Sequence, residues 1–165
     1  LLKAIEHKRK RTESGFENLV ILGDMNLYRG LDDGSIEHLA NQGFVECDGL
    51  LGKDTNASMT EAYDRMFFSV NDFFRICVNP DGKQSGGVFN PFEKVYRDED
   101  FTKYTDNMLA HYGGEKDLAN DDDQRFKYYK HPWRKNQISD HYPIWVELEI
   151  DNSESFLQRN LENIS

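Results

Sequence analysis

Apolar residues occur in short runs along this chain, and the spacing within each run predicts an element. The run from Asn18 to Gly23 is almost wholly apolar, a pattern typical of a strand buried on both faces. Residues 63–70 and 73–79 fit two more strands, with Asn71-Asp72 as the turn of a hairpin. Residues 144–150 alternate apolar and polar side chains, which predicts a strand with one face in the core.

Helix signals lie between these runs. Ser35 and Gly43 would cap and stop a helix over residues 35–42, and Asp98 would cap another that reaches about His111. The remaining predictions are helices over residues 1–11 and after Ser153, a loop over 80–92, and a solvated turn at 121–123. Because strands and helices intermix without a repeat or a linker, we expect one α+β domain.

Composition narrows the class of protein. The chain has 165 residues, 38% of them hydrophobic, which is enough for one domain, and no apolar run approaches the length of a membrane span. A formal net charge of −10 disfavours a nonspecific nucleic-acid binder, but acidic side chains can also collect divalent cations. Cys47 and Cys77 predict reduced thiols, which slightly favours a cytoplasmic over a secreted chain, with a single bridge as the alternative.

The first motif with candidate chemistry is Gly23-Asp24-Met25-Asn26, at the end of the first strand. Asp24 and Asn26 are two positions apart, so in extended chain their side chains point the same way. A carboxylate can orient a water or hold a metal, and an amide can donate to a developing oxyanion. The alternative is an ordinary polar turn, since Asp and Asn are favoured there.

Two further motifs carry an acid beside a second functional group. Asp140-His141, just before the last strand, places a metal ligand next to an imidazole of near-neutral pKa, although a capping Asp in a loop is the alternative. Asp64-Arg65 places two charges in an apolar strand, where neighbouring side chains point to opposite faces and pair poorly. Asp64 therefore needs a partner from elsewhere, because an unpaired buried charge is costly, and a histidine is a natural candidate.

Together, and in this order, these motifs resemble the endonuclease/exonuclease/phosphatase superfamily, most of all its deoxyribonuclease I-like members. The likeness spans about Asn18 to Ile150, with its specific positions around 23–26, 63–65 and 138–143. It implies a DNase I-like α/β/β/α sandwich, with a mixed or antiparallel sheet flanked by helices.

The resemblance also implies a role for each matched residue. Asp24 would activate the attacking water and touch metal, and Asn26 would stabilise the transition state. Asp140 would help bind Mg²⁺, with Mn²⁺ or Ca²⁺ as alternatives, in an oxygen-rich shell. His141 would act as general base or transition-state donor, and Asp64 would hold its tautomer and raise its pKa.

The family's upstream half contributes a metal-binding glutamate and an asparagine that nothing in this chain matches. We therefore expect residues 1–165 to be the C-terminal part of one such domain, whose partner is the missing N-terminal half of the same protein. Alone, they should show weak or no activity, and cleavage comparable to that of a full-length parent would contradict this expectation.

A substrate surface is predicted between residues 125 and 135, where cations and aromatic side chains alternate without an acid. Cations contact phosphates and aromatic faces stack on bases. The alternative is that these aromatics pack on the core. The candidate contacts are Arg125, Lys127, Lys130, Trp133 and Arg134.

Three functions follow from these observations. The first is a divalent-metal nuclease that cleaves phosphodiesters by activated water, with DNA favoured over RNA as the nucleic-acid substrate. The second is a phosphatase, or a hydrolase of the sphingomyelinase or inositol-phosphatase kind, because one fold and one core chemistry serve many substrates. The third is a noncatalytic module that retains the fold.

Overall fold

A computed structural model describes residues 18–26, 34–70, 74–150 and 153–164. In these ranges the chain mixes helices with short antiparallel strands, as the α+β prediction expects. The predictions for residues 1–11 and for the turn at 71–72 lie outside the described residues.

The strands are β1 Leu19–Asp24, β2 Phe44–Glu46, β3 Asp64–Ser69, β4 Arg75–Ile76, β5 Gly86–Val88, β6 Ile144–Val146 and β7 Leu148–Glu149. The α-helices are α1 Ser35–Asn41, α2 Phe101–Ala110, α3 Asp122–Tyr128, α4 Arg134–Gln137 and α5 Ser153–Glu162. Single turns of 3-10 helix cover Pro91–Glu93 and Asp98–Asp100, and a π-helical turn covers Tyr129–Trp133.

Strand β3 is the centre of a three-stranded antiparallel sheet in the order β1-β3-β2. Successive side chains of a strand point to opposite faces, so β3 contributes to two cores. Phe67 packs with Leu39 of α1 on one face. Phe68 packs with Ile76 on the other face, beside apolar residues of the β4–β7 and β5–β6 pairs. Asp64 has the same parity as Phe68 and therefore lies on the face that carries β6.

The prediction that the first strand is buried on both faces is wrong. Leu19 and Ile21 pack against the core that α1 covers. Val20 is 38% exposed and Leu22 is 66% exposed. In the described part of the chain β1 is hydrogen-bonded to β3 alone, and its outer face is left open beside the smaller sheets.

The predicted hairpin of the second and third runs is also wrong. Strand β4 pairs with β7, whereas β3 pairs with β1 and β2. The predicted loop over residues 80–92 contains β5, which pairs with β6. The alternation over residues 144–150 does mark extended chain, but it is divided between β6 and β7, which have different partners. Strand pairing across distant parts of the chain is set by packing, which a local pattern does not encode.

The helices predicted after Ser35 and after Asp98 lie near the expected positions, but the predicted N-cap of each is wrong. Helix α1 begins at Ser35, but Gly34 is its N-cap, and no side chain caps it. Asp98 begins a 3-10 turn instead of capping α2, and its carboxylate binds Lys130 and Arg134. The acidic run at 121–123 is a helix start rather than a free turn, because Asp121 accepts the N–H of Gln124.

Helices α2 and α3 meet around an aromatic cluster of their own. Met108, Tyr129 and Trp133 are its buried members, and burial raises the pKa of Tyr129 to about 12.

Cys47 and Cys77 are both free thiols, as the prediction of reduced thiols expects. Among the described helices, none combines the length and the apolar character that a bilayer crossing needs.

Candidate active site

The carboxylate of Asp64 and the imidazole of His141 are in direct contact. Oδ2 of Asp64 lies 2.7 Å from Nδ1 of His141. Asp64 is the first residue of β3, and His141 lies in the segment that leads into β6 and forms an antiparallel bridge with Asn56. The prediction that a histidine is the partner of Asp64 is confirmed.

Arg65, the other charge of that motif, has a different partner. Its Nε and Nη2 donate to the two oxygens of Glu46, each at 2.6 Å. Asp64 and Arg65 point to opposite faces of β3, so the alternative that they pair with each other is wrong. The sequence contained no signal for Glu46, because its proximity depends on the register of β2 against β3.

The surroundings of His141 favour its charged form. The hydrogen bond that His141 donates to the Asp64 carboxylate raises the pKa of His141, and the negative charges of Asp64, Asp140 and Asp24 act in the same direction, while partial burial opposes them. With Nδ1 held by Asp64, Nε2 is the ring nitrogen that can exchange a proton with a bound molecule. The side chain is 33% exposed, so solvent and ligands can reach it.

Asp24 stands directly opposite Asp64 in the antiparallel register of β1 and β3. Side chains that oppose each other in this way lie on the same face of the sheet, with Cβ atoms about 5 Å apart. Two carboxylates so placed repel each other, and a neighbouring cation relieves the repulsion. A protonated His141 supplies one such charge.

Asn26 departs from the predicted geometry. Strand β1 ends at Asp24, and Asn26 has a left-handed φ of 49°, which asparagine tolerates better than most residues. Its backbone N–H donates to Oδ1 of Asp24 at 3.0 Å. The expectation that the two side chains point the same way in extended chain is therefore wrong, and the motif is a turn that also positions the Asp24 carboxylate.

The donors for a divalent ion are only partly present. Asp24 and Asp140 are exposed carboxylates whose charges both act on His141, and Mg²⁺ prefers such oxygen ligands. Within the ranges that the structure describes, however, no three His, Cys, Asp or Glu side chains form a group that could hold a metal. Two carboxylates fit the chemistry of the predicted ion but do not complete its shell, so we assign no reaction step to it.

A cleft of about 340 Å³ opens beside the pair, and Asp64 and His141 both line it. Its other walls are mostly apolar, and among the described residues that line it there is no lysine or arginine. Sequence reasoning missed this cleft, because its walls come from several separate parts of the chain. They are Leu22, Gly23, Met66, Pro91, Ile138, Ser139, Tyr142, Pro143 and Ile144.

No family model matches this chain, and neither the curated proteins nor the solved structures contain a match. The functional interpretation of the site therefore depends on its own residues and their geometry.

The predicted substrate surface is largely engaged in internal contacts. Lys130 and Arg134 both bind Asp98, each at 2.8 Å, and Trp133 is buried in the aromatic cluster. Arg125 donates to the carbonyls of Leu118 and Ala119 and pairs with Asp122. Lys127 is exposed. This placement agrees with the alternative in which the aromatics of the segment pack on a core.

The same segment nevertheless lies near the site. The guanidinium carbon of Arg134 stands 4.5 Å from the centre of the Phe92 ring, and that ring contacts Tyr142, the residue after His141. Lys135 reaches the hydroxyl of Ser58 at 3.5 Å. Arg134 and Lys135 thus connect the aromatic cluster to the elements that hold the pair.

Proposed function

We propose that this chain carries part of the active site of a divalent-metal-dependent phosphoester hydrolase, with a DNase I-like sandwich completed by residues outside those described. The observation that carries the proposal is the contact of 2.7 Å between Asp64 and His141. Asp24 stands opposite Asp64, and its charge reaches the same imidazole. Carboxylates around one cationic imidazole form a set suited to the hydrolysis of an anionic ester.

In the proposed reaction, Asp24 orients the attacking water and accepts its proton as the water oxygen bonds to phosphorus. As the bond between phosphorus and the ester oxygen breaks, His141 donates its Nε2 proton to the leaving oxygen, while Asp64 holds the ring. The contact with Asp64 and the nearby carboxylates raise the pKa of His141 and so favour its charged form, which suits the donor role better than that of general base. In this proposal the amide of Asn26 would stabilise the transition state as a neutral donor. Asp24 and Asp140 would hold a divalent ion, which would supply charge neutralisation at the phosphate.

A nuclease is our first candidate, because the motifs resemble those of deoxyribonuclease I-like enzymes. A specific observation favours a second candidate, a hydrolase of phospholipid or small aryl or alkyl phosphodiesters. In the part of the chain that the structure describes, the walls of the cleft that opens on Asp64 and His141 are mostly apolar and include no Lys or Arg, and Arg134 and Lys130 are already bound to Asp98. Apolar walls add little to the binding of a polyanion. They would favour a substrate that carries an apolar group beside a single phosphate, because that group is buried against them.

The test compares metal-dependent turnover by the full-length protein with that of its Asp24→Asn and His141→Ala variants, because residues 1–165 by themselves are expected to show weak or no activity. His111→Ala is the matched control, since that exposed histidine bonds the carbonyl of Asn107 within α2 and lies outside the site. The substrates are plasmid DNA, an oligoribonucleotide, a phosphoinositide, sphingomyelin and bis(p-nitrophenyl) phosphate, each with Mg²⁺ or Mn²⁺ and again with a chelator.

Turnover that the chelator abolishes, that both site variants lower by about a hundredfold or more, and that His111→Ala retains would support the proposal. Cleavage of DNA alone would select the nuclease. Cleavage of sphingomyelin or the aryl ester without DNA would select the second candidate. Equal signals from wild type and both site variants would instead indicate a noncatalytic module.

A further inference from the structure

Thr55 is hydrogen-bonded to Asp64 and to the residue that follows His141. Its hydroxyl oxygen accepts the backbone N–H of Asp64 at 2.9 Å. Its carbonyl oxygen accepts the backbone N–H of Tyr142, the residue after His141, at 2.6 Å. One buried residue, 2% exposed, therefore bonds the strand that carries the carboxylate and the segment that carries the ring.

The short segment that begins at Thr55 is itself held in place. The N–H of Thr55 donates to the carbonyl of Glu61 at 2.9 Å. Oδ1 of Asn56 accepts the N–H groups of Thr60 and Glu61 at 2.8 and 3.1 Å, which closes the turn. The N–H of Ala57 donates to the carbonyl of Asp140 at 2.8 Å. Thr55 thus belongs to a rigid turn that is bonded to residues on both sides of His141.

Such a connection matters at this position in the fold. Asp64 is the first residue of β3, where the sheet's own hydrogen bonds begin, and His141 lies outside the regular strands. Groups that orient a functional side chain from behind fix the geometry that its contact needs. A contact of 2.7 Å between two side chains from separate elements is sensitive to small shifts of either backbone.

We propose that Thr55 is a positioning residue that sets the geometry of the Asp64–His141 contact, its hydroxyl acting on Asp64 and its carbonyl on the segment of His141. The role concerns the site of the proposed function and does not require its reaction. A threonine that merely fills space would be replaced without effect by valine, which has nearly the same shape but no hydroxyl.

The experiment compares Thr55→Val, which removes the hydroxyl, with Thr55→Ser, which retains it. Thr60→Val is the matched control, because the Thr60 hydroxyl lies in the same turn and bonds Asn56 instead of Asp64. Asp64→Asn gives the signal of a broken pair. The readout is the NMR resonance of the His141 Nδ1 proton at one fixed pH, which moves downfield and exchanges slowly when it is held by a carboxylate.

We expect the wild type, Thr55→Ser and Thr60→Val to share the downfield Nδ1 signal. In Thr55→Val that signal should move upfield or broaden, toward the behaviour of Asp64→Asn. A folded Thr55→Val whose Nδ1 signal matches the wild type would overturn the proposal, even if its stability had fallen.

A second measurement on the unsubstituted chain applies if Thr55→Val does not fold. The amides of Asp64 and Tyr142 should both be protected from hydrogen exchange, relative to the amides of exposed loops. An Asp64 amide that exchanges as fast as those loops would also overturn the role of Thr55. Neither readout depends on catalysis, so a chain that hydrolyses nothing but shows these signals would count against the proposed function alone.

Discussion

Nδ1 of His141 lies 2.7 Å from Oδ2 of Asp64, although 77 positions separate the two residues in the chain. The pair joins the start of β3 to the segment before β6, and the same strand register places Asp24 opposite Asp64. The charge of this imidazole is therefore coupled to the stability of the fold at this point.

The stability of the chain should depend on pH through His141. The partner carboxylate raises the pKa of His141 in the folded state, so its contribution is fully present below the unfolded value of about 6.5 and is lost as pH rises through the raised folded value. We expect the free energy of unfolding, from urea titrations, to decline over that window. Asp64→Asn should flatten the decline, and equal slopes for the two proteins would contradict the assignment.

The Glu46–Arg65 pair should be a major stabilising contact of the three-stranded sheet. The two side chains are only 4% and 11% exposed, so Glu46→Ala leaves a buried guanidinium without its partner. We expect the free energy of unfolding to fall by about 3–5 kcal/mol, measured by chemical denaturation. The half-exposed Arg75–Glu149 pair is the comparison, and Glu149→Ala should cost only about 0–1 kcal/mol. Similar losses for both would show that burial is not the cause.

Gly86 should not accept a side chain. A Cβ at this position would lie 2.6 Å from Sγ of buried Cys47 and 3.0 Å from the carbonyl oxygen of Trp145. Gly86→Ala should therefore lower the free energy of unfolding by about 1–3 kcal/mol. At Gly113 nothing lies within 4 Å of such a Cβ, so Gly113→Ala should remain within about 0.5 kcal/mol of wild type. Thermal and chemical denaturation of both variants would measure these changes in the free energy of unfolding. A Gly86→Ala variant as stable as wild type would contradict the close packing.

Substitutions of Arg134 and Lys127 should distinguish a residue that stabilises the fold from one that contacts substrate. Arg134 is 12% exposed on its side chain and bonds Asp98, so Arg134→Met should cost about 1.5–3 kcal/mol of unfolding free energy. Lys127 is exposed, and Lys127→Met should leave stability unchanged. If the segment binds DNA, Lys127→Met should weaken that binding and reduce its salt dependence. Unchanged binding of DNA by Lys127→Met would remove this residue from the predicted surface.

Local patterns predicted several elements well. The run ending at Gly23, the alternation after Pro143 and the signals around Ser35 each marked a real strand or helix. Such patterns depend on spacing within a few residues, which the chain carries wherever it folds. The need of Asp64 for a distant partner was also predictable, because a strand points Arg65 to the other face.

Several differences share one cause. The predicted hairpin pairs the strand at Arg75 with β3, but its partner is β7, and the sequence carries no signal that Lys130 and Arg134 bind Asp98. In each case the partner is distant in sequence and is chosen by the packing of layers. The apolar cleft and the role of Thr55 were missed for the same reason.

By itself, the sequence determined which residues carry charge in apolar surroundings, where several of the strands and helices lie, and that helices and strands would intermix. Those properties depend on side-chain chemistry and on periodicity over a few residues. Only the tertiary structure decided that Glu46 meets Arg65, that Asp24 opposes Asp64, and that Thr55 links the strand to the imidazole segment. These contacts depend on strand register and layer packing, where a shift of one residue would turn every side chain to the opposite face.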